Sequence, residues 1–226
     1  MTISAVALFG SQARGDSEEN SDVDLLLVTS EDTPRHVTMG NLSLSLYPRT
    51  HLFDRARKGD LFVCHLAAEA KAIHDPEGVL PALKEALKLR SSYDTEIAAA
   101  SDLGWLLARF ARDLPDVELA NRRIAWCVRT ILIARSAEAG KPVFSAAHLA
   151  AFAGDSRIGE LINQKNSDEA PSLATTDQLR GFLQGWGKTD PVPGASKPSD
   201  YRPIFRHSDN RVALATLKGR SRNADY

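Results

Sequence analysis

The chain has 226 residues, 43% of them hydrophobic and 25% charged, which is ordinary globular usage and excludes a disordered or fibrous class. Its formal net charge of −1 gives no global pull toward nucleic acid or an anionic membrane surface. No apolar run approaches the ~20 residues of a membrane span, and no basic leader precedes the first apolar segment, so a cytoplasmic, membrane-free protein is expected.

Ser4 to Phe9 is a short apolar run ending at a glycine and reads as a buried strand. Gly10-Ser11 then opens a helix-forming segment, Gln12-Ala13-Arg14. A strand that enters a helix through glycine presents free backbone N–H groups, and those donors at the positive end of a helix suit a phosphate. Gly10 lets the backbone approach, the Ser11 hydroxyl adds a donor, and Arg14 supplies a charged fork. Val23 to Val28 is the second strand. Side chains alternate along a strand, so Asp22 and Asp24 point the same way, with Cα atoms roughly 6–7 Å apart. Two such carboxylates suit one Mg²⁺ (or Mn²⁺), or a pair of ions, and a cation relieves the cost of burying acids beside Leu25 to Val28. Taken singly, a Gly-Ser pair or an Asp-x-Asp is an ordinary turn or strand start. Here both occur between two predicted strands.

The pattern Gly10-Ser11-x-Ala13-Arg14-Gly15-Asp16 followed by Ser21-Asp22-x-Asp24 resembles the DNA polymerase β-like nucleotidyltransferase superfamily, in its minimal nucleotidyltransferase branch. The resemblance is specific over residues 4–28 and extends to about Gly78. It implies an α+β fold: a small palm of mixed sheet and flanking helices. It further implies that Gly10 and Ser11 bind the nucleoside triphosphate, to which the residue reading adds Arg14, and that Asp22 and Asp24 are the catalytic, Mg²⁺-holding acids.

That family usually carries a third acid on the next strand. Thr29 to Asn41, with Pro34 and Gly40, reads as a loop, and the next strand is Leu42 to Tyr47. Its alternation predicts Leu42, Leu44 and Leu46 packed inward and Ser43, Ser45 and Tyr47 on the other face. Ser45 falls where the third carboxylate is expected, and serine is neither an anionic ligand nor a base at neutral pH. Three readings follow. Asp54 or Asp60 swings in; a base comes from the helical half, with Glu96, Asp113, Asp116 and Glu118 as candidates; or the chain binds a nucleotide without transferring it.

Thr50 is expected to cap a helix over about His51 to Lys58, Leu61 to Glu69 reads as a second helix, and Ala70 to His74 as a last strand before Asp75-Pro76-Glu77-Gly78. Cys64 and Cys127 read as buried free thiols, and Cys64-His65 lacks the spaced partners of a zinc site. His65 and His74 read as packing or surface residues.

Helical patterns follow over Val79 to Leu89, Asp94 to Asp113, Val117 to Ala139, Ser145 to Ala153, Ile158 to Lys165 and Asp177 to Trp186. A helical bundle beside such a palm resembles the substrate-binding domain shared by antibiotic nucleotidyltransferases and HEPN-type proteins. Arg122, Arg123 and Arg129 on the longest helix read as a solvated or salt-bridged face, with an anion-binding cleft as the alternative. The HEPN ribonuclease pattern of Arg followed by His is met only at Arg202 to His207, where Pro203 argues against a helix. Residues 188–226 read as an irregular basic tail carrying Arg206, Arg211, Lys218, Arg220 and Arg222, which either stays solvated or touches RNA phosphates.

The expected organisation is therefore a palm at 1–78, a helical bundle at 79–187 and a tail at 188–226. The expected activity is transfer of an NMP from an NTP to a hydroxyl acceptor: an RNA or tRNA end, a protein, or a small molecule. An RNA or protein acceptor fits a toxin of a toxin–antitoxin or phage-defence module, with an antitoxin protein as partner. An aminoglycoside-type drug nucleotidyltransferase and a catalytically silent nucleotide-binding module are the alternatives.

Overall fold

The computed structural model describes residues 2–16 and 22–219. Ser21 of the motif and Arg220 and Arg222 of the basic tail lie outside the described residues. The chain divides into two compact units, one of residues 1–91 with 140–145, the other of 92–139 with 146–226. The first unit thus reaches past Gly78 and takes back six residues from between two later helices.

The first unit is built on a five-stranded mixed sheet of order β3-β4-β2-β1-β5. Its strands are β1 (Ile3–Phe9), β2 (Val23–Thr29), β3 (Arg35–Met39), β4 (Leu42–Pro48) and β5 (Lys71–His74). β2 runs parallel to β4, while β1 is antiparallel to both β2 and β5. β3 and β4 form a hairpin closed by Gly40-Asn41, with Met39 opposite Leu42 and Gly40 at φ +59°. β3 falls within the segment expected to be a loop. It is a short edge strand whose Arg35, Val37, Thr38 and Met39 are all exposed, so burial imposes no strong pattern on it.

The helices of this unit are α1 (Gly10–Arg14), α2 (Arg49–Arg57), α3 (Leu61–Glu69) and α4 (Val79–Ala86). The covered face of the sheet carries Ala5, Ala7 and Phe9 from β1 and Leu26 and Val28 from β2. Register places Ser45 opposite Leu26 and Tyr47 opposite Val28, so the covered face of β4 is the serine and tyrosine face. Of Leu42, Leu44 and Leu46, expected to pack inward, only Leu46 is buried; Leu42 and Leu44 stay half-buried on the opposite face. The cause is Tyr47, whose ring lies 5.4 Å from that of Phe62 in α3 and whose hydroxyl accepts from Arg55 Nη1 at 2.9 Å. α3 starts at Asp60, whose Oδ1 accepts from the backbone N–H groups of Phe62 and Val63. α2 begins at Arg49 after Pro48 and has no side-chain cap, so Thr50 does not play the expected role.

The second unit contains α5 (Asp94–Phe110), α6 (Val117–Glu138), α7 (Ala146–Ala153), α8 (Arg157–Asn163), α9 (Leu173–Trp186), α10 (Arg202–His207) and α11 (Arg211–Thr216). α6 is capped by Asp116, which accepts from Leu119 N. Asn121 on α6 is fully buried and fully used: its Nδ2 donates to the carbonyls of Ser167 and Glu169, and its Oδ1 accepts from Gln164. α5 and α9 meet closely at Gly104, where a β-carbon would come 2.8 Å from Leu183 Cδ2. α9 starts four residues before the expected Asp177, because Ser172 Oγ accepts from Thr175 N.

The segment expected to be an irregular tail folds into short helices up to Thr216. Tyr201 and Phe205 are fully buried there, and the Tyr201 hydroxyl donates to Asp190, which also pairs with Arg109. Pro203 sits in the first turn of α10, where a missing N–H costs nothing, so it does not block that helix. No helix among the described residues is long and apolar enough to cross a membrane.

Candidate active site

Asp24 stands opposite Phe9 in the β1–β2 ladder, and Gly10, the residue that follows β1 and opens α1, turns directly over its carboxylate. Gly10 has φ +72°, and a β-carbon on it would lie 2.5 Å from Asp24 Oδ2. No other residue fits there, for reasons of both dihedral and space. Asp22 lies just before β2 and is exposed; Asp24 is partly buried. Burial pushes the Asp24 carboxyl above its ordinary range. The Ser43 hydroxyl, which donates to it, pulls the other way, the charge of Asp22 adds to the rise, and the imidazoles of His65 and His36 oppose it. Two acids that repel each other, one of them desolvated, form a pair that a cation would stabilise.

Among the described residues no group of three or more His, Cys, Asp or Glu is arranged to hold a metal. Two carboxylates are nonetheless the donor set Mg²⁺ takes when substrate phosphates and water complete its shell. The residues present thus fit a cation that arrives with a triphosphate.

Arg14, expected to reach a phosphate, is engaged on both sides. Its Nε donates to Asp16 at 3.0 Å and its Nη1 to Glu69 Oε2 at 2.5 Å. Glu69 Oε2 also bonds His65 Nε2 at 2.7 Å. Burial works against the Glu69 charge, but His65 and Arg14 together hold its carboxyl below the usual range. The His65 ring is covered by Phe9, edge-on at 5.8 Å, and by Phe144, stacked at 4.7 Å. Arg14 therefore ties α1 to α3, directly behind the Gly10–Ser11 turn. Sequence reasoning missed Glu69. The signal for it was the His65/Glu69 pair four residues apart on one helix.

The other flank of Asp24 is made of hydroxyls. Ser43 faces Asp24 across the β2–β4 ladder, and Thr38 faces Ser43 across the β4–β3 hairpin. One pair further along, Ser45 is 1% exposed and lies opposite His36. His36 Nδ1 is 3.3 Å from Ser45 Oγ, and its Nε2 is 3.4 Å from Thr38 Oγ1. Of the acids suggested to replace the third carboxylate, Asp54 pairs with Arg57 at the surface, and Asp60 caps α3 and pairs with Arg55. In the helical unit, Asp116 is a cap and Glu118 pairs with Arg122. Arg123 is buried, and burial lowers its pKa. Cys64 and Cys127 are buried free thiols, as expected.

Residues 2–93 match the family model described as Nucleotidyltransferase domain. This stretch runs from β1 through α4, and the α+β nucleotidyltransferase fold expected from the glycine–serine turn and the acid pair is the one observed. A solved structure, the nucleotidyltransferase-like protein from Exiguobacterium sibiricum 255-15, is similar at 16% identity, covering 97% of this chain and 75% of that one, with a TM-score of 0.29. No curated protein matches the chain.

Proposed function

We propose that this chain transfers a nucleoside monophosphate from an NTP to a hydroxyl acceptor. The observation that supports this reading best is the fit of Asp24 under Gly10, with the charge of Asp22 near enough to act on it: a glycine turn set directly against one acid and beside a second. Gly10 and Ser11 would hold the triphosphate through backbone N–H groups and the Ser11 hydroxyl, and Asp22 and Asp24 would hold Mg²⁺ or Mn²⁺. A bound cation supplies neutralisation of charge developing on the phosphates. Arg14 acts by fixing α1 through Glu69, so that the turn is rigid before substrate arrives. The protein's work is positioning more than activation, as phosphoryl chemistry demands.

The helical unit then serves as the acceptor-binding part, in the manner of HEPN-like domains joined to minimal nucleotidyltransferases. Arg206, Arg211 and Lys218 give its C-terminal helices a basic character that suits an RNA end, with a protein hydroxyl or an aminoglycoside as other acceptors. An RNA or protein acceptor fits a toxin restrained by an antitoxin protein. A second reading, a nucleotide-binding module that transfers nothing, is favoured by Ser45 in the place of a third acid.

The test is incubation with α-labelled NTPs, Mg²⁺ or Mn²⁺, and pools of RNA, protein and aminoglycoside. Label transfer that disappears in Asp22→Asn and Asp24→Asn is the expected result. NTP binding with no transfer to any pool establishes the silent module, and transfer that survives Asp24→Asn overturns the assigned chemistry.

A further inference from the structure

We propose that His36 on edge strand β3 takes the proton from the attacking hydroxyl. This rests on the nucleotidyl-transfer reading and supplies the group that reading lacks.

Strand order makes the first argument. The sequence β3-β4-β2-β1 puts His36 and the Gly10 turn on opposite sides of Asp24. Phe9, Asp24, Ser43 and Thr38 form one row across four strands, and Ala7, Leu26, Ser45 and His36 form the next. All these side chains share one face, because paired residues do. A triphosphate laid on the Gly10–Ser11 turn sends its pyrophosphate toward β1. In-line displacement then requires the nucleophile to come from the β4–β3 side. Thr38 stands two strands from Asp24, roughly 9–10 Å away, which leaves room for a phosphoryl group and an attacking oxygen.

Chemistry makes the second argument. His36 is rooted in the Ser45 row, but its ring leans back toward the Asp24 row, since Nε2 meets Thr38 Oγ1. With Nδ1 donating to Ser45 Oγ, the lone pair sits on Nε2, on the side of Thr38. In that tautomer Ser45 holds Nδ1 and Thr38 stands beside Nε2. Among the described residues, the other proton acceptors that face this part of the sheet, His65 and Tyr47, are engaged and covered. His65 has a side chain 6% exposed, bonded to Glu69 and capped by two aromatic rings. Tyr47 is 5% exposed and bonded to Arg55. His36 is half-buried on an edge strand that an acceptor reaches from solvent.

The step balances without a further reactant. The acceptor oxygen forms a bond to the α-phosphorus, its proton passes to His36 Nε2, and the bond from the α-phosphorus to the bridging oxygen breaks. The electron pair leaves with pyrophosphate, and the imidazolium returns its proton to water.

The experiment uses the full chain with α-labelled NTPs, Mn²⁺ and whichever acceptor pool is labelled by the native protein. His36→Gln keeps a hydrogen bond to Ser45 but takes no proton. It is expected to lower kcat about 100-fold or more with the KM for NTP changed less than about threefold. His36→Gly is expected to be equally slow and to regain at least about tenfold on addition of free imidazole, a response a purely structural role does not give. Circular dichroism melts confirm that both variants fold. Full activity in His36→Gln, or a His36→Gly variant indifferent to imidazole, overturns the assignment while transfer lost in Asp24→Asn leaves the parent reading intact. A native protein that labels no acceptor, or an Asp24→Asn variant that still does, overturns the parent reading and this proposal with it.

Discussion

The two flanks of Asp24 are built from different materials. On the β1 side, Gly10 is fixed by dihedral and space, and α1 is bolted to α3 by Arg14, Glu69 and His65 with bonds of 2.5 and 2.7 Å. On the β4–β3 side, Ser45, His36 and Thr38 are joined by contacts of 3.3 and 3.4 Å, on a hairpin at the sheet edge. Charged, partly buried bonds are stronger and stiffer than long neutral ones. The side assigned to the invariant part of the reaction, a triphosphate, is preorganised. The side proposed for the acceptor is held by longer, neutral contacts.

The largest effect should come from the group between the flanks. Asp24→Asn is expected to lower transfer on the order of 10³-fold. The same variant carries a pH signature. Because burial raises the Asp24 pKa, the folded state holds a proton more tightly than the unfolded one. Native stability then falls as pH rises from about 4 through the raised value, and the cost persists at neutral pH. Asp24→Asn should therefore melt above the native protein at pH 7 without cation, by a few degrees at most, and the gap should close below about pH 4. Saturating Mg²⁺ and NTP should reverse the order, since only the native site gains from them.

Next is Gly10→Ala, which forces a positive φ on alanine and a β-carbon onto Asp24 Oδ2. A loss of about 1–3 kcal/mol in stability is expected, with transfer down roughly 100-fold from displacement of the acid. Equal activity in the variant would show that the turn and the acid do not cooperate. Glu69→Gln sharpens the comparison. Removing the partner of a partly buried arginine should cost about 2 kcal/mol in a denaturant melt. If Arg14 is an anchor, calorimetric NTP affinity should drop about fivefold; if Arg14 instead grips phosphate, freeing it should raise affinity. The smallest effect is reserved for Ser45→Ala, which should cost about 1 kcal/mol in stability and slow transfer several-fold, leaving NTP binding unchanged. An effect as large as that of Gly10→Ala would mean that the acceptor flank is as rigid as the other.

The phosphate-side elements were legible because their signals are local. A strand that ends in Gly-Ser and a second that starts Asp-x-Asp read directly from neighbouring residues, and Leu61 to Glu69 came out as the helix it is. The acceptor side was not. The alternation of β4 reveals a strand but not which face is covered, and that choice is made by pairing with β2 and by Tyr47 meeting Phe62 and Arg55. β3 was hidden because an exposed edge strand carries little hydrophobic signal, and with it His36 was hidden as well. The C-terminal helices were masked by prolines that turn out to stand at helix starts, where only the buried Tyr201 and Phe205 betray the packing. Glu69 acquires its role from Arg14, 55 residues away, and no spacing rule reaches that far.

The return of residues 140–145 to the first unit means that the chain has no single place to be severed cleanly. A fragment ending at Ser91 would keep every strand yet strip Phe144 from the ring of His65, opening the aromatic lid over the Glu69–Arg14 pair. A palm moved as one uninterrupted stretch would leave that imidazole face without its borrowed phenylalanine.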